Sequence, residues 1–101
     1  MELNITELIC VRNTLRTFAD WQKLAPSVNN LTHTEPDGTQ CVVTMKSVST
    51  GFKATYEIGG KAATALADTA EAALHDLMVD VGLAMPALGI SEQGPASMTM
   101  C

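Results

Sequence analysis

The side chains able to do chemistry in this chain are few and far apart. Three cysteines (Cys10, Cys41, Cys101) and two histidines (His33, His75) are scattered along 101 residues. A metal site asks for Cys, His or carboxylate ligands at tight spacing. There is no Cys-x-x-Cys, and within the group His75, Asp76 and Asp80 only the two aspartates share an i, i+4 relationship. The expectation is no metal and no cofactor. Nucleophilic catalysis asks for a thiol or hydroxyl with a base in reach. Cys41 alternates onto the same side of a strand as Val43 and Met45, which reads as a small buried hydrophobe. Cys10 with either histidine stays open as the pair on which a small-molecule-binding or enzymatic domain would depend. No Gly-x-Ser-x-Gly elbow, phosphate loop or dinucleotide fingerprint occurs, and Gly59-Gly60-Lys61 lacks the rest of a phosphate loop. The residues therefore read as those of a protein without enzymatic activity.

Carboxylates are the one chemical type that clusters. Lys61 is the last basic residue, and Asp68, Glu71, Asp76, Asp80 and Glu92 follow it unbalanced within a net charge of −5. Before Thr50 the chain is close to neutral, with Arg12, Arg16, Lys23 and Lys46 set against Glu2, Glu7, Asp20, Glu35 and Asp37. Direct binding of DNA or RNA needs a basic stripe that releases counterions, and none is present. An acidic surface also repels anionic membrane, and no apolar run approaches the roughly 20 residues of a membrane span. The acidic N-terminus lacks the features of a signal peptide, and scattered, odd-numbered cysteines read as reduced thiols. A cytoplasmic protein is expected, in which the Asn4 and Asn30 sequons are chance matches and Cys101 is the candidate reactive thiol.

These groups must be positioned by a small set of elements. Asn4 and Glu7 stand at capping-box spacing, and Leu8, Val11, Leu15 and Phe18 follow at helical intervals, with Ile5 and Ala19 widening the stripe. Pro26 should end that helix near Ala25. Cys10, Trp21 and Leu24 lie off the stripe as a second, weaker apolar patch. Next, Glu35-Pro36-Asp37-Gly38 is turn chemistry between a weak strand at 31–34 and a stronger one over Gln40–Val48. After Ser49-Thr50-Gly51, the residues Phe52, Ala54, Tyr56 and Ile58 alternate with Lys53, Thr55 and Glu57, the cleanest period-two run. Gly59-Gly60 signals a hairpin into a further strand over Lys61–Ala67. The last helix spans 68–81: Asp68 is placed to cap it, with Glu71 three residues on. Ala70, Ala73, Leu74, Leu77, Met78 and Val81 form its buried face. Gly82 should close it in the left-handed conformation, with Leu83 making the accompanying contact. Asp80 then opposes the helix dipole. Residues 84–90 are apolar but broken by proline and glycine, suited to a strap over the core, and 91–101 have tail composition.

The expected fold is therefore α+β: helix, an antiparallel meander sheet of three to four strands, helix. Both helices lie on one sheet face, in a single domain over 1–90 with a tail at 91–101. The other face would carry Val42, Thr44, Lys46, Lys53, Thr55 and Glu57, mostly polar. This order resembles the α-β-β-β-α topology of double-stranded-RNA-binding domains. The helix opening that is lysine-rich in that family reads Ala67-Asp68-Thr69-Ala70-Glu71 here, which argues against RNA binding. The stretch from Ala67 to Leu74 after a hairpin also looks like the end of HicB-type antitoxin domains, mostly through its capping residues.

By elimination the chain reads as a small acidic binding protein that occupies a basic protein surface, such as that of a nucleic-acid-binding protein or complex. Carboxylates matched to an electropositive groove associate fast and exclude nucleic acid from it. Size and charge are those of phage-encoded inhibitors of bacterial defence, anti-CRISPR proteins among them. Glu71, Asp76 and Asp80 are the candidate partner contacts, followed by Glu57 and Glu35. The competing expectation is a structural or homo-oligomeric role, including a homodimer, using Cys10, Trp21 and Leu24 or the sheet-face residues Val42 and Val48.

Overall fold

A computed structural model describes residues 2–83. The order is α1 (Ile5–Leu24), β1 (Asn30–Thr34), β2 (Gln40–Val48), β3 (Gly51–Ile58), β4 (Lys61–Ala67) and α2 (Ala70–Asp80). The four strands form one antiparallel meander in the order β1-β2-β3-β4. Both helices pack on the same face, α1 chiefly over β1 and β2 and α2 over β3 and β4. The α+β reading of the sequence holds, with four strands. Residues 84–90 and 91–101, read as strap and tail, lie outside the described residues.

Side-chain alternation sets the layers. Cys41, Val43 and Met45 of β2 and Ala54, Tyr56 and Ile58 of β3 point into the core, where they meet Val11, Leu15 and Phe18 of α1 and Ala73, Leu74 and Leu77 of α2. Register aligns them in rows: Cys41–Ile58–Lys61, Val43–Tyr56–Ala63 and Met45–Ala54–Ala65. The intervening rows, Val42–Glu57–Ala62, Thr44–Thr55–Thr64 and Lys46–Lys53–Leu66, form the open face. That face is mostly polar, as the alternation requires.

The capping box of α1 forms as its spacing demands: Asn4 Oδ1 accepts from the Glu7 N–H at 2.8 Å, and Glu7 Oε1 accepts from the Asn4 N–H at 3.0 Å. Three expectations about the helices are corrected. Ile5 is 68% exposed rather than part of the core stripe, because the buried face runs through Cys10, Val11, Thr14, Leu15 and Phe18. Thr14 is tolerated there because its hydroxyl donates to the Cys10 carbonyl at 2.6 Å. Cys10 is itself fully buried, so it belongs to the core and not to a surface patch with Trp21 and Leu24. The N-cap of α2 is Thr69, not Asp68; Thr69 Oγ1 accepts from the Ala72 N–H at 3.0 Å, and the chain at Asp68 is still leaving β4. At the other end, Gly82 adopts a φ of 75°. The Leu83 N–H reaches the Met78 carbonyl at 2.8 Å and the Gly82 N–H reaches that of Val79 at 3.1 Å, both bonds of a Schellman closure.

Candidate functional site

The carboxylates divide into those engaged by the fold and those left to solvent. Glu7 caps α1 and also accepts from Lys61 Nζ at 2.6 Å, tying α1 to the β3–β4 hairpin. The Lys61 hydrogen bond, then the Asn4 N–H, holds its carboxyl below the ordinary range. Glu35 Oε2 lies 2.6 Å from His33 Nε2 and accepts from Asn13 Nδ2 at 3.2 Å, bracing the β1–β2 turn against α1. The Thr39 N–H, at 2.9 Å from Asp37 Oδ1, lowers the Asp37 carboxyl. By contrast, Glu57, Asp68, Glu71, Asp76 and Asp80 are exposed and make no side-chain hydrogen bond or ion pair to another described residue.

The geometry of α2 separates the three carboxylates that the sequence grouped. Successive residues advance about 100° round a helix, so Asp76 and Asp80 share a flank and Glu71 lies roughly 140° from Asp76. Glu71 lines an open groove of about 440 Å³ between the helices, with Ala19, Lys23 and Pro26 on one side and Leu74, His75 and Met78 on the other. Asp76 and Asp80 therefore occupy the flank turned away from α1, above β4 and the sheet edge. The position of Asp80 is marked by Tyr56, whose phenol is pushed up first by burial and then by the Asp80 charge. Glu57 is on the opposite side of the sheet, at a shallow hollow formed with Val42, Gly59 and Ala62. The structure thus joins Asp76 with Asp80, sets Glu71 on the groove rim, and places Glu57 and Glu35 elsewhere.

The unfavourable charge of Asp80 at the negative end of α2 has a counterweight that sequence reading missed. The last turn of α2 has no basic residue. Instead Arg12 of α1, half-buried, donates from Nε to the Val81 carbonyl at 2.6 Å. A guanidinium at a helix C-terminus satisfies an orphan carbonyl and complements the dipole. No local pattern links residues 12 and 81; only the antiparallel packing of the helices brings them together.

Two other features emerge only in three dimensions. Lys46 and Lys53 are directly opposite each other on the open face, an unfavourable cross-strand pair. Leu66, 61% exposed, sits beside Lys53 on the edge strand β4. On α1, Trp21 and Leu24 are 51% and 88% exposed.

Among the described residues the two thiols, Cys10 and Cys41, are buried in the core. Burial pushes the Cys41 thiol up to about 11 and raises that of Cys10 as well, and Cys10 Sγ lies 3.8 Å from the Thr39 carbonyl. His33 is held by Glu35, and His75 borders the helix groove. Among the described residues no group of three His, Cys, Asp or Glu side chains is arranged to hold a metal ion. No described helix is long and apolar enough to cross a membrane. Comparison with protein-family models, with curated proteins and with solved structures finds no match to this chain.

Proposed function

We propose that this domain is a non-enzymatic binding module whose α2 carboxylates engage a basic surface on a partner protein. The observation that supports this reading is the contrast among the acids. Glu7, Glu35 and Asp37 are held by internal donors, whereas Asp68, Glu71, Asp76 and Asp80 are presented to solvent without a cationic partner among the described residues. Such a surface gives electrostatically steered, salt-sensitive association and competes with nucleic acid for an electropositive groove. By size and charge, inhibition of a nucleic-acid-binding complex, as phage-encoded defence inhibitors achieve it, is the role this would serve.

The test is retention of a host partner on the immobilised protein across a salt series, compared with a Glu71→Lys, Asp76→Lys, Asp80→Lys variant. Loss of the partner with an unchanged circular dichroism spectrum supports the proposal. Equal retention by the variant removes α2 from it. A second reading, self-assembly through α1, rests on the exposure of Trp21 and Leu24. Light scattering over a concentration series decides it, since a monomer at every concentration leaves those residues without a partner copy.

A further inference from the structure

The two lateral edges of the sheet are built differently. β1 is a five-residue strand with Glu35 and Pro36 directly after it. β4 is longer, carries no proline and no charge between Ala62 and Ala67, and pairs with β3 in unbroken register without a bulge. Natural sheets usually guard an edge with one of those devices, and β4 has none along its middle. Among the described residues no strand covers its outer side.

Hairpin geometry tells which backbone groups face outward. A two-residue turn, here Gly59-Gly60 with φ of 53° and 79°, makes its flanking residues Ile58 and Lys61 a hydrogen-bonded pair. Alternation along the ladder then turns the N–H and C=O of Lys61, Ala63, Ala65 and Ala67 toward β3. Those of Ala62, Thr64 and Leu66 point to the free edge.

The flank of α2 that bears Asp76 and Asp80 is the one turned away from α1, on the β4 side of the domain. Asp80 acts on the phenol of Tyr56, the cross-strand partner of Ala63, so α2 returns along β4 with Asp80 toward the Ala63 end, and the helical rise puts Asp76 about 6 Å further toward Ala65. Side chains two residues apart on one face of a strand are separated by roughly 6.6 to 6.8 Å. The spacing of the two aspartates therefore matches that of alternate residues on a strand added beside β4.

Resting on the acidic-surface reading above, we infer that the partner segment is an extended basic strand that adds to β4 as a fifth strand, with lysine or arginine at alternate positions opposite Ala63 and Ala65, beneath Asp80 and Asp76. Its intervening residues fall beside Ala62, Thr64 and Leu66 on the open face, where the exposed Leu66 favours an apolar side chain and Lys53 disfavours a cation. Charge decides the occupant. A second copy pairing through its own β4 would set its Asp76 and Asp80 flank against that of the first. The residues of this chain after Leu83 contain no lysine or arginine.

The experiment uses the full chain and two capped peptides of one composition, one alternating lysine with valine and the other with its lysines adjacent. The alternating peptide should bind about fivefold more tightly, the scale set by two modest charge pairs in register. It should slow hydrogen exchange at the amides of Ala62, Thr64 and Leu66. Asp76→Asn with Asp80→Asn should abolish the preference, and Thr64→Pro, which removes an outward N–H and leaves the β3 ladder intact, should weaken binding of the alternating peptide. Salt-sensitive binding of both peptides with equal affinity, and no protection at those amides, would overturn strand addition while leaving the acidic surface standing. Binding of neither peptide would remove both.

Discussion

Removing the guanidinium of Arg12 tests how α2 is held in place. The change is Arg12→Met, which keeps most of the aliphatic stem and deletes the donor to Val81, an Nε–O distance of 2.6 Å. A hydrogen bond from a charged donor contributes about 1.5–3 kcal/mol net, and a cation at a helix C-terminus about 0.3–1 kcal/mol, the two overlapping in one contact. Because Arg12 is only half-buried, the lower part of that range applies, giving a loss of about 2 kcal/mol. For a domain of this size each kcal/mol moves the melting temperature by roughly 4–8 °C, so a fall of about 10 °C is expected. Urea and thermal unfolding followed by circular dichroism give the stability. Hydrogen exchange at Gly82 and Leu83, whose amides close the helix, reports the local effect. Arg16→Met is the control, since Arg16 is exposed on the same helix without a hydrogen bond to a described residue. If Arg12→Met costs no more than Arg16→Met, the reasoning that α1 caps and neutralises the end of α2 is wrong.

Acid should weaken the fold through Glu7 and Asp37. Both carboxyls titrate below their ordinary values when folded, so their stabilisation is present above the unfolded pKa near 4 and is lost as pH falls through the lower folded values. Urea midpoints between about pH 5 and 3 should therefore fall more steeply for wild type than for Glu7→Gln, and parallel curves would count against it. Thiol labelling at about pH 8 in a Cys101→Ser background should find Cys10 and Cys41 inert until the chain unfolds, because both are buried and their thiols raised. Prompt labelling of Cys10 would instead reopen a catalytic reading. Lys46→Glu should raise stability by about 0.5 kcal/mol, since it turns a repulsive pair with Lys53 into an attractive one. A urea midpoint at or below that of wild type would contradict this.

What the sequence disclosed follows the range of the interactions involved. The capping box at Asn4 and Glu7, the Gly59-Gly60 turn and the Gly82 closure are local, made by residues a few positions apart, and were legible. The alternation from Phe52 to Ile58 was equally plain because one face is buried and the other wet. Ile5 fell outside the core because it lies about 140° round α1 from Phe18, the centre of the buried face, while Thr14 takes an inner place by bonding to its own helix. The cap of α2 shifted by one residue because Asp68 and Thr69 are both good caps, and the end of β4 decides between them. The candidate site was the least legible part. Charge count grouped Glu71, Asp76 and Asp80, but which side of α2 faces α1 is settled by packing, and so is the pairing of Arg12 with Val81.

The distribution of cations carries the functional argument further than the surplus of acids does. Among the described residues two of the six make internal contacts, Lys61 on Glu7, tying α1 to the β3–β4 hairpin, and Arg12 on the end of α2. Lys46 and Lys53 stand together on the open sheet face, on the other side of the sheet from Asp76 and Asp80. The aspartate pair thus lies on the helix layer and the lysine pair on the open sheet face, which also carries Glu57, with the edge of β4 between them. A uniformly basic segment arriving there gains on the helix side and loses against Lys53 on the other. A strand with cations on one face only gains without that loss. Composition alone would give fast, salt-dependent encounter with any basic chain, whereas the edge would discriminate by the alternation of its partner's residues.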